Sequence, residues 1–161
     1  MATPWKTLEA DWWSFLTGEA TYTALSLNEF RGYDGVVLPW DPDTRTFPEH
    51  ALPAIWTELA AVESGETDPA IWGQRIDSMT VDGALVFGQG VRDSIETAMD
   101  ALVELHDSRA NRQNHLGSAS ISDYTFRPGE VAGIRPAGSG RVMFWRWNFS
   151  VELIGNRRNI N

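Results

Sequence analysis

The acidic stretch at residues 41–50, DPDTRTFPEH, is the first place in the sequence where side-chain types and spacing could support chemistry. It contains Asp41, Asp43, Glu49 and His50, and a loop this rich in oxygen donors could hold a hard cation such as Ca²⁺. The spacing lacks the later glycine and the bidentate glutamate of a calcium loop. We therefore expect a solvated loop here and no metal site.

The other candidates for catalysis are no better arranged. His106 lies in the last turn of a predicted helix, where positive charge is favoured, and His115 lies in a polar segment, so the histidines lack zinc-ligand spacing. Neither Gly-x-Ser-x-Gly nor Ser-x-x-Lys occurs. Residues 88–93, GQGVRD, lack the third glycine and the lysine of nucleotide-binding loops and indicate a strand-to-helix turn. We expect no catalytic residue, no metal and no cofactor, and hence no enzyme.

Three carboxylates follow helical spacing. Glu96, Asp100 and Glu104 are four residues apart and share one face of a predicted helix. The row is either a solvated surface or an acidic strip that faces a basic partner, and the sequence leaves both interpretations open.

The composition excludes several classes of protein. Asp and Glu number 22 against 13 Lys and Arg, which gives a net charge of −9, so the chain would repel a phosphate backbone. It could still surround nucleic acid without binding it. The absence of cysteine excludes disulfides, thiolate metal sites and cysteine nucleophiles. The eight tryptophans indicate either a bulky core or a large contact surface.

The chain shows no membrane or export signal. No stretch approaches the roughly 18–20 apolar residues of a membrane span. The amino-terminal MATPWKTLEADWW lacks the basic start and apolar run of a signal peptide, so we expect a protein made in the cytoplasm. We expect one domain over residues 1–161, with a loose polar tail at 155–161.

The first half of the chain predicts one helix and several strands. Residues 3–17 have the apolar spacing of a helix, and residues 20–40 indicate a hairpin or two short strands. Residues 51–59 are ambiguous between strand and helix and favour a strand. Residues 61–76 read as an exposed connection, and residues 77–90 contain a further strand.

The second half predicts a helix followed by two strands. Residues 93–107 form the clearest helical pattern in the chain. Residues 108–118 are predicted to be a polar loop and residues 118–127 a strand. Residues 127–141 are rich in glycine and proline, which predicts a long connection.

The last strand, RVMFWRWNFSVELIG at residues 141–155, has one heavily apolar face. Every second residue on it is apolar: Met143, Trp145, Trp147, Phe149, Val151 and Leu153. The helix at 93–107 offers a matching stripe of Ile95, Leu102 and Leu105. These residues are the predicted core of an α+β fold. In it, an antiparallel or mixed sheet is packed on one face by the N-terminal helix and the longer helix.

This order of elements, with LPAI at residues 52–55 entering a strand, resembles the tail terminator proteins of long-tailed bacteriophages, also called tail-completion or neck proteins. The resemblance extends from about residue 5 to residue 154. It implies a homohexameric ring at the head-proximal end of the tail, which stops addition of tube subunits and joins the tail to the head connector. It also implies a virion protein, assembled in the host cytoplasm, without catalytic residues.

The same resemblance suggests which charged residues face a subunit interface or the lumen of the ring. They are Asp41, Asp43, Arg135, Arg141 and Arg146. The connection at 127–141 is long enough to reach a neighbouring subunit. The expected partners are further copies of the chain, the tail-tube protein and a connector or head-closure protein. DNA would pass through without specific binding, because acidic walls repel phosphate.

The residues leave other functions open. Another neck role, such as head closure or a tube subunit, is compatible with a small α+β subunit. A small-ligand-binding domain would use the tryptophan-rich face to line a cavity. An enzyme with catalytic groups scattered through the fold is the third alternative.

Overall fold

A computed structural model describes residues 4–31, 52–67, 74–88, 92–118, 120–134 and 144–158. The described chain contains helices at its start and middle and five strands. In chain order the elements are α1 (Pro4–Gly18), α2 (Ala20–Thr23), β1 (Asn28–Arg31), β2 (Ala54–Thr67), β3 (Gln74–Gly88), α3 (Arg92–Asp107), α4 (Arg109–Gln113), a 3₁₀ turn (His115–Gly117), β4 (Ile121–Ile134) and β5 (Phe144–Arg158).

The five strands form one mixed sheet in the order β1-β2-β3-β5-β4. β1 pairs with β2 in parallel, and every other neighbouring pair is antiparallel. This arrangement confirms the predicted α+β class. Residues 54–59 lie in β2, so most of the segment that is ambiguous in sequence forms a strand, as its pattern favours.

The two long helices, α1 and α3, pack on the same side of the sheet, which we call the helical face. The predicted core residues buried there are Ile95, Leu102, Leu105, Trp147, Phe149, Val151 and Leu153. Trp145 is half-buried against the same cluster, whereas Met143 lies outside the described residues. Each large apolar side chain that is fully buried contributes about 1.5–3 kcal/mol, so this face supplies much of the stability.

One glycine is required where β3 pairs with β5. Gly83 is the register partner of Phe149, and the Phe149 ring lies directly over the Gly83 backbone. A Cβ added to Gly83 would stand 2.2 Å from a ring carbon of Phe149. The absence of a side chain at position 83 therefore lets the aromatic ring lie flat on the sheet beneath α1.

The opposite side of the sheet carries a second apolar cluster, which the prediction of a last strand with one heavily apolar face did not include. It is formed by Ala54, Trp56, Ala84, Val86 and Phe144, all buried. Phe144 lies between Met143 and Trp145 of the predicted apolar series, so in a strand it points to the other face. The alternation in β5 remains, but its first residue belongs to this second cluster.

Of the predicted exposed connection at 61–76, residues 61–67 and 74–76 are strand residues, whereas residues 68–73 lie outside the described chain. β2 continues to Thr67 and β3 starts at Gln74, and the two strands stay paired from Ala61–Thr80 to Thr67–Arg75. The prediction was wrong because backbone pairing with a neighbouring strand holds these residues, and such pairing needs no apolar alternation in the sequence.

The polar segment 108–118 also differs from the predicted loop. It forms α4 and the 3₁₀ turn, and the Ser108 hydroxyl caps α4 by accepting from the Asn111 backbone N–H. The Asn111 side chain donates a 2.8 Å hydrogen bond to the Leu105 carbonyl, and Leu116 is buried. Side-chain capping stabilises short helices in sequences that are too polar to show an amphipathic pattern.

Of residues 20–40, predicted to form a hairpin or two short strands, Asn28–Arg31 form one short strand, and a helix stands where the first residues were expected to be strand. The helix is α2 and the strand is β1, which lies parallel to β2, whereas residues 32–40 lie outside the described chain. The Tyr22 hydroxyl donates a 2.7 Å hydrogen bond to Glu29, and the Arg31 guanidinium carbon lies 4.6 Å from the centroid of the Trp13 ring. These contacts hold β1 against α2 and α1.

β4 and β5 are both longer than predicted. β4 continues to Ile134, so residues 127–134 of the predicted reaching loop belong to a strand that pairs with β5, whereas residues 135–141 lie outside the described chain. β5 continues to Arg158, so residues 155–158 of the predicted loose tail are strand residues. Ile121 and Tyr124 are both buried because a register shift after Ile121 changes the face of the residues that follow.

Candidate assembly surface

We call the side of the sheet opposite α1 and α3 the open face. Outside the apolar cluster of Ala54, Trp56, Ala84, Val86 and Phe144, this face is mainly polar. Neither long helix contributes to the apolar cluster on this side. The strand registers place a set of exposed or half-buried polar side chains on it: Glu58, Thr80, Asp82, Asp123, Thr125, Arg127, Arg146, Asn148, Ser150 and Glu152. The fold thus has one face packed by the long helices and one face that carries both a smaller apolar cluster and charged side chains.

One transverse line of residues on the open face, which we call the charged row, carries opposite charge at its two ends. Glu58 is the register partner of Asp82, Asp82 of Ser150, and Ser150 of Arg127. Three strand spacings, or about 14 Å, separate the backbone at Glu58 from the backbone at Arg127. Glu58 and Asp82 are like charges directly opposite each other, an arrangement that destabilises an isolated sheet.

Arg146 lies on the same face and is held in place. Its guanidinium carbon is 5.0 Å from the centroid of the Trp56 ring, and its Nε donates a 2.8 Å hydrogen bond to Oδ1 of Asn148. Partial burial lowers the pKa of Arg146, and the nearby Glu58 carboxylate opposes this effect. Arg146 and the residues of the charged row line an open cleft of about 470 Å³.

The outer edge of the sheet at β4 is divided into two parts. From Ile121 to Arg127 the strand follows β5, with one register shift near its start. A second irregularity lies between Pro128 and Val131, at which the Gly129 carbonyl accepts a 3.1 Å hydrogen bond from Nε1 of Trp147. Proline has no backbone N–H, and a bulge turns the strand, so this second part resists pairing with another strand.

The opposite edge of the sheet is also divided. β1 covers β2 only at Ala54–Thr57. Among the described strands, none lies outside Glu58–Thr67 of β2. Each edge therefore has one blocked part and one part whose outer side has no strand partner in the described chain.

The predicted interface residues are only partly placed. Arg146 lies on the open face, while Asp41, Asp43, Arg135 and Arg141 are outside the described residues. The charged row itself was missed. Its signal in the sequence is that Arg127 and Ser150 occupy polar positions in alternating strands, but their alignment with the acidic end depends on the sheet order.

His106 is a buried core residue, not the helix-terminal cation that its position suggests. Its ring is fully buried; Nε2 accepts a 2.9 Å hydrogen bond from the Trp12 indole, and Nδ1 donates one of 2.7 Å to the Leu102 carbonyl. It stacks on Phe126, with 4.1 Å between ring centroids. Burial lowers the pKa of His106 to about 4, and both ring nitrogens are occupied, so the ring serves packing.

No protein-family model and no curated protein sequence matches this chain. Its function must therefore be inferred from its own residues. In the part of the chain that the structure describes, no group of three or more His, Asp or Glu side chains could hold a metal ion. Within the same residues, no helix is long and apolar enough to cross a membrane.

The tryptophan-rich face is filled rather than hollow. Trp147 and Phe149 pack against each other with ring centroids 5.3 Å apart, and Phe149 lies 6.3 Å from Trp12 of α1. Trp12 and Trp147 are fully buried. Trp12 and Trp147 are therefore core residues whose rings pack against neighbouring aromatic side chains.

Proposed function

We propose that the chain is a structural subunit of a ring at the head-proximal end of a phage tail, where it ends tube polymerisation and joins the tail to the head connector. One observation best supports this role. The sheet has one face packed by helices and an opposite, charged open face, and a long edge strand borders both. Such a subunit can offer its edges to neighbouring copies and its open face to the lumen.

The edges suit lateral contacts. A ring is built from heterologous contacts, in which one surface of a subunit meets a different surface of the next. β4 at one side of the sheet and β1 with β2 at the other are two such different surfaces. A sheet subunit can thereby extend in one direction around a ring without using its packed helical face.

The charge of the open face suits a passage for DNA. The described carboxylates there are those of Glu58, Asp82, Asp123 and Glu152, while the described cations are Arg127 and Arg146. An excess of carboxylates opposes phosphate binding, and the whole chain carries a net charge of −9. DNA would move past such a wall without specific contacts.

The decisive experiment measures assembly and tube capping together. Light scattering after size-exclusion chromatography should show a ring-sized oligomer, or a monomer that forms one on purified tail tubes. Adding the chain to polymerising tube protein should stop elongation in electron micrographs, compared with tubes alone. A chain that stays monomeric at all concentrations and leaves tube length unchanged would contradict the proposal.

A further inference from the structure

We infer that copies of this chain join edge to edge, with Ile121–Arg127 of β4 pairing antiparallel to Glu58–Thr67 of β2 in the next copy. This inference rests on the ring proposed above and names the contact that would build it. In this pairing, a second copy of the same chain occupies the part of each edge that has no strand partner in the described chain.

The two edge parts that lack a strand partner among the described residues, Ile121–Arg127 and Glu58–Thr67, lie at the same level of the sheet. Arg127 aligns with Glu58 through the charged row. Thr125 aligns in the same way with Ala61, through Glu152 of β5 and Thr80 of β3. One edge therefore continues the other when a second copy is placed beside the first without a shift along the strands.

The blocked parts of the two edges also lie at one level. Ala132 aligns through Arg146 and Val86 with Ala54, the first residue of β2 that β1 covers. The irregular part of β4 after Pro128 thus stands level with the part of β2 that already has a partner. β1 lies on the outer side of Ala54–Thr57, so in a neighbouring pair it would lie between β2 and the part of β4 after Pro128. The two strands would diverge there, while Ile121–Arg127 and Glu58–Thr67 pair.

Strand direction and charge agree with this contact. β4 is antiparallel to β5, β5 to β3, and β3 to β2, so β4 of one copy runs opposite to β2 of the next. The pairing would place the exposed Arg127 beside the Glu58 carboxylate of the neighbour. That cation would also offset the repulsion between Glu58 and Asp82.

Charge reversal provides the first test. Arg127 is exposed, so Arg127→Glu should leave the thermal unfolding of the monomer unchanged and weaken assembly about tenfold, because attraction becomes repulsion. Adding Glu58→Arg to the same chain should restore assembly. Arg109→Glu, at an exposed position on α4, is the matched control and should assemble normally. Normal assembly of Arg127→Glu would overturn the inference.

Cysteine pairing tests the register directly, because the chain has no cysteine of its own. In one copy, positions 58 and 127 are about 14 Å apart, beyond the reach of a disulfide. Oxidation of the Glu58→Cys, Arg127→Cys double variant should yield a ladder of covalent oligomers, and each single variant should yield at most dimers.

The outcomes of these experiments distinguish a failure of the edge pairing from a failure of the proposed ring function. A wild-type chain that forms rings and caps tubes, while the double-cysteine variant gives no ladder, would overturn the edge pairing and leave the proposed function standing. A wild-type chain that neither assembles nor caps tubes would overturn both. Rings together with a ladder on oxidation would support both.

Discussion

The indole nitrogen of Trp12 donates a 2.9 Å hydrogen bond to Nε2 of His106, joining α1 to the end of α3 across 94 residues of sequence. Because Nε2 must accept this bond, the imidazole is neutral, with its proton on Nδ1 and directed at the Leu102 carbonyl. The contact lies under Phe126 of β4, so one ring connects two helices and an edge strand.

Acid should destabilise the fold through His106. The unfolded chain takes up a proton near the ordinary pKa of 6.5, whereas the folded ring does so only near a pKa of about 4. The contribution of the neutral ring is therefore fully present above pH 6.5 and declines as pH falls towards 4, by about 3 kcal/mol in total. Urea unfolding across this range measures the slope. A flat profile would contradict the assignment.

Removing the indole donor should show how much the Trp12–His106 hydrogen bond contributes to the free energy of unfolding. Trp12→Phe leaves the His106 acceptor buried without a partner and should cost about 1–3 kcal/mol beyond the loss of ring volume. Trp13→Phe is a matched control, since the Trp13 indole nitrogen is buried with no hydrogen-bond partner among the described residues. Chemical unfolding of both variants should therefore show the larger loss for Trp12, and equal losses would rule out a net contribution from this bond.

A charge in the core of β5 should be far more damaging than a charge on its other side. Trp147→Asp places a carboxylate among fully buried rings and should reduce the free energy of unfolding by more than about 4 kcal/mol. Asn148→Asp, on the open face one residue later, should change it by less than about 0.5 kcal/mol. An unchanged melting temperature for Trp147→Asp would show that this face is not core.

The close approach of Gly83 and Phe149 predicts coupling between the two positions. Gly83→Ala should destabilise the fold by about 1–3 kcal/mol, because its Cβ collides with the ring. In a Phe149→Leu background the same change should cost less. A double-mutant cycle measured by urea unfolding tests this, and strictly additive losses would mean that the ring moves aside freely.

Two arginines on the open face should differ in how much each contributes to the stability of the fold. Arg146→Ala removes a stacked, half-buried guanidinium and should cost about 0.5–2 kcal/mol of stability. Arg127→Ala removes an exposed side chain and should change stability by less than about 0.5 kcal/mol. Thermal unfolding of the two variants measures this difference. The reverse ranking would mean that Arg127, rather than Arg146, is held by the fold.

The sequence alone predicted the elements with strong local periodicity. The apolar stripe of Ile95, Leu102 and Leu105 and the alternation from Trp147 to Leu153 both correspond to buried faces. Their physical basis is local, because helix and strand geometry repeat over a few residues whatever lies beside them. The α+β class follows from these patterns.

The tertiary structure decided what depends on contacts between distant segments. Strand order determines that Glu58, Asp82, Ser150 and Arg127 share one row, and no spacing within a strand contains that information. The same holds for His106. Its position at a helix end suggests a cation, but Trp12 and Phe126 contact the ring and exclude water from it. Backbone pairing and desolvation are properties of the assembled layers, so they appear only when the layers are in place.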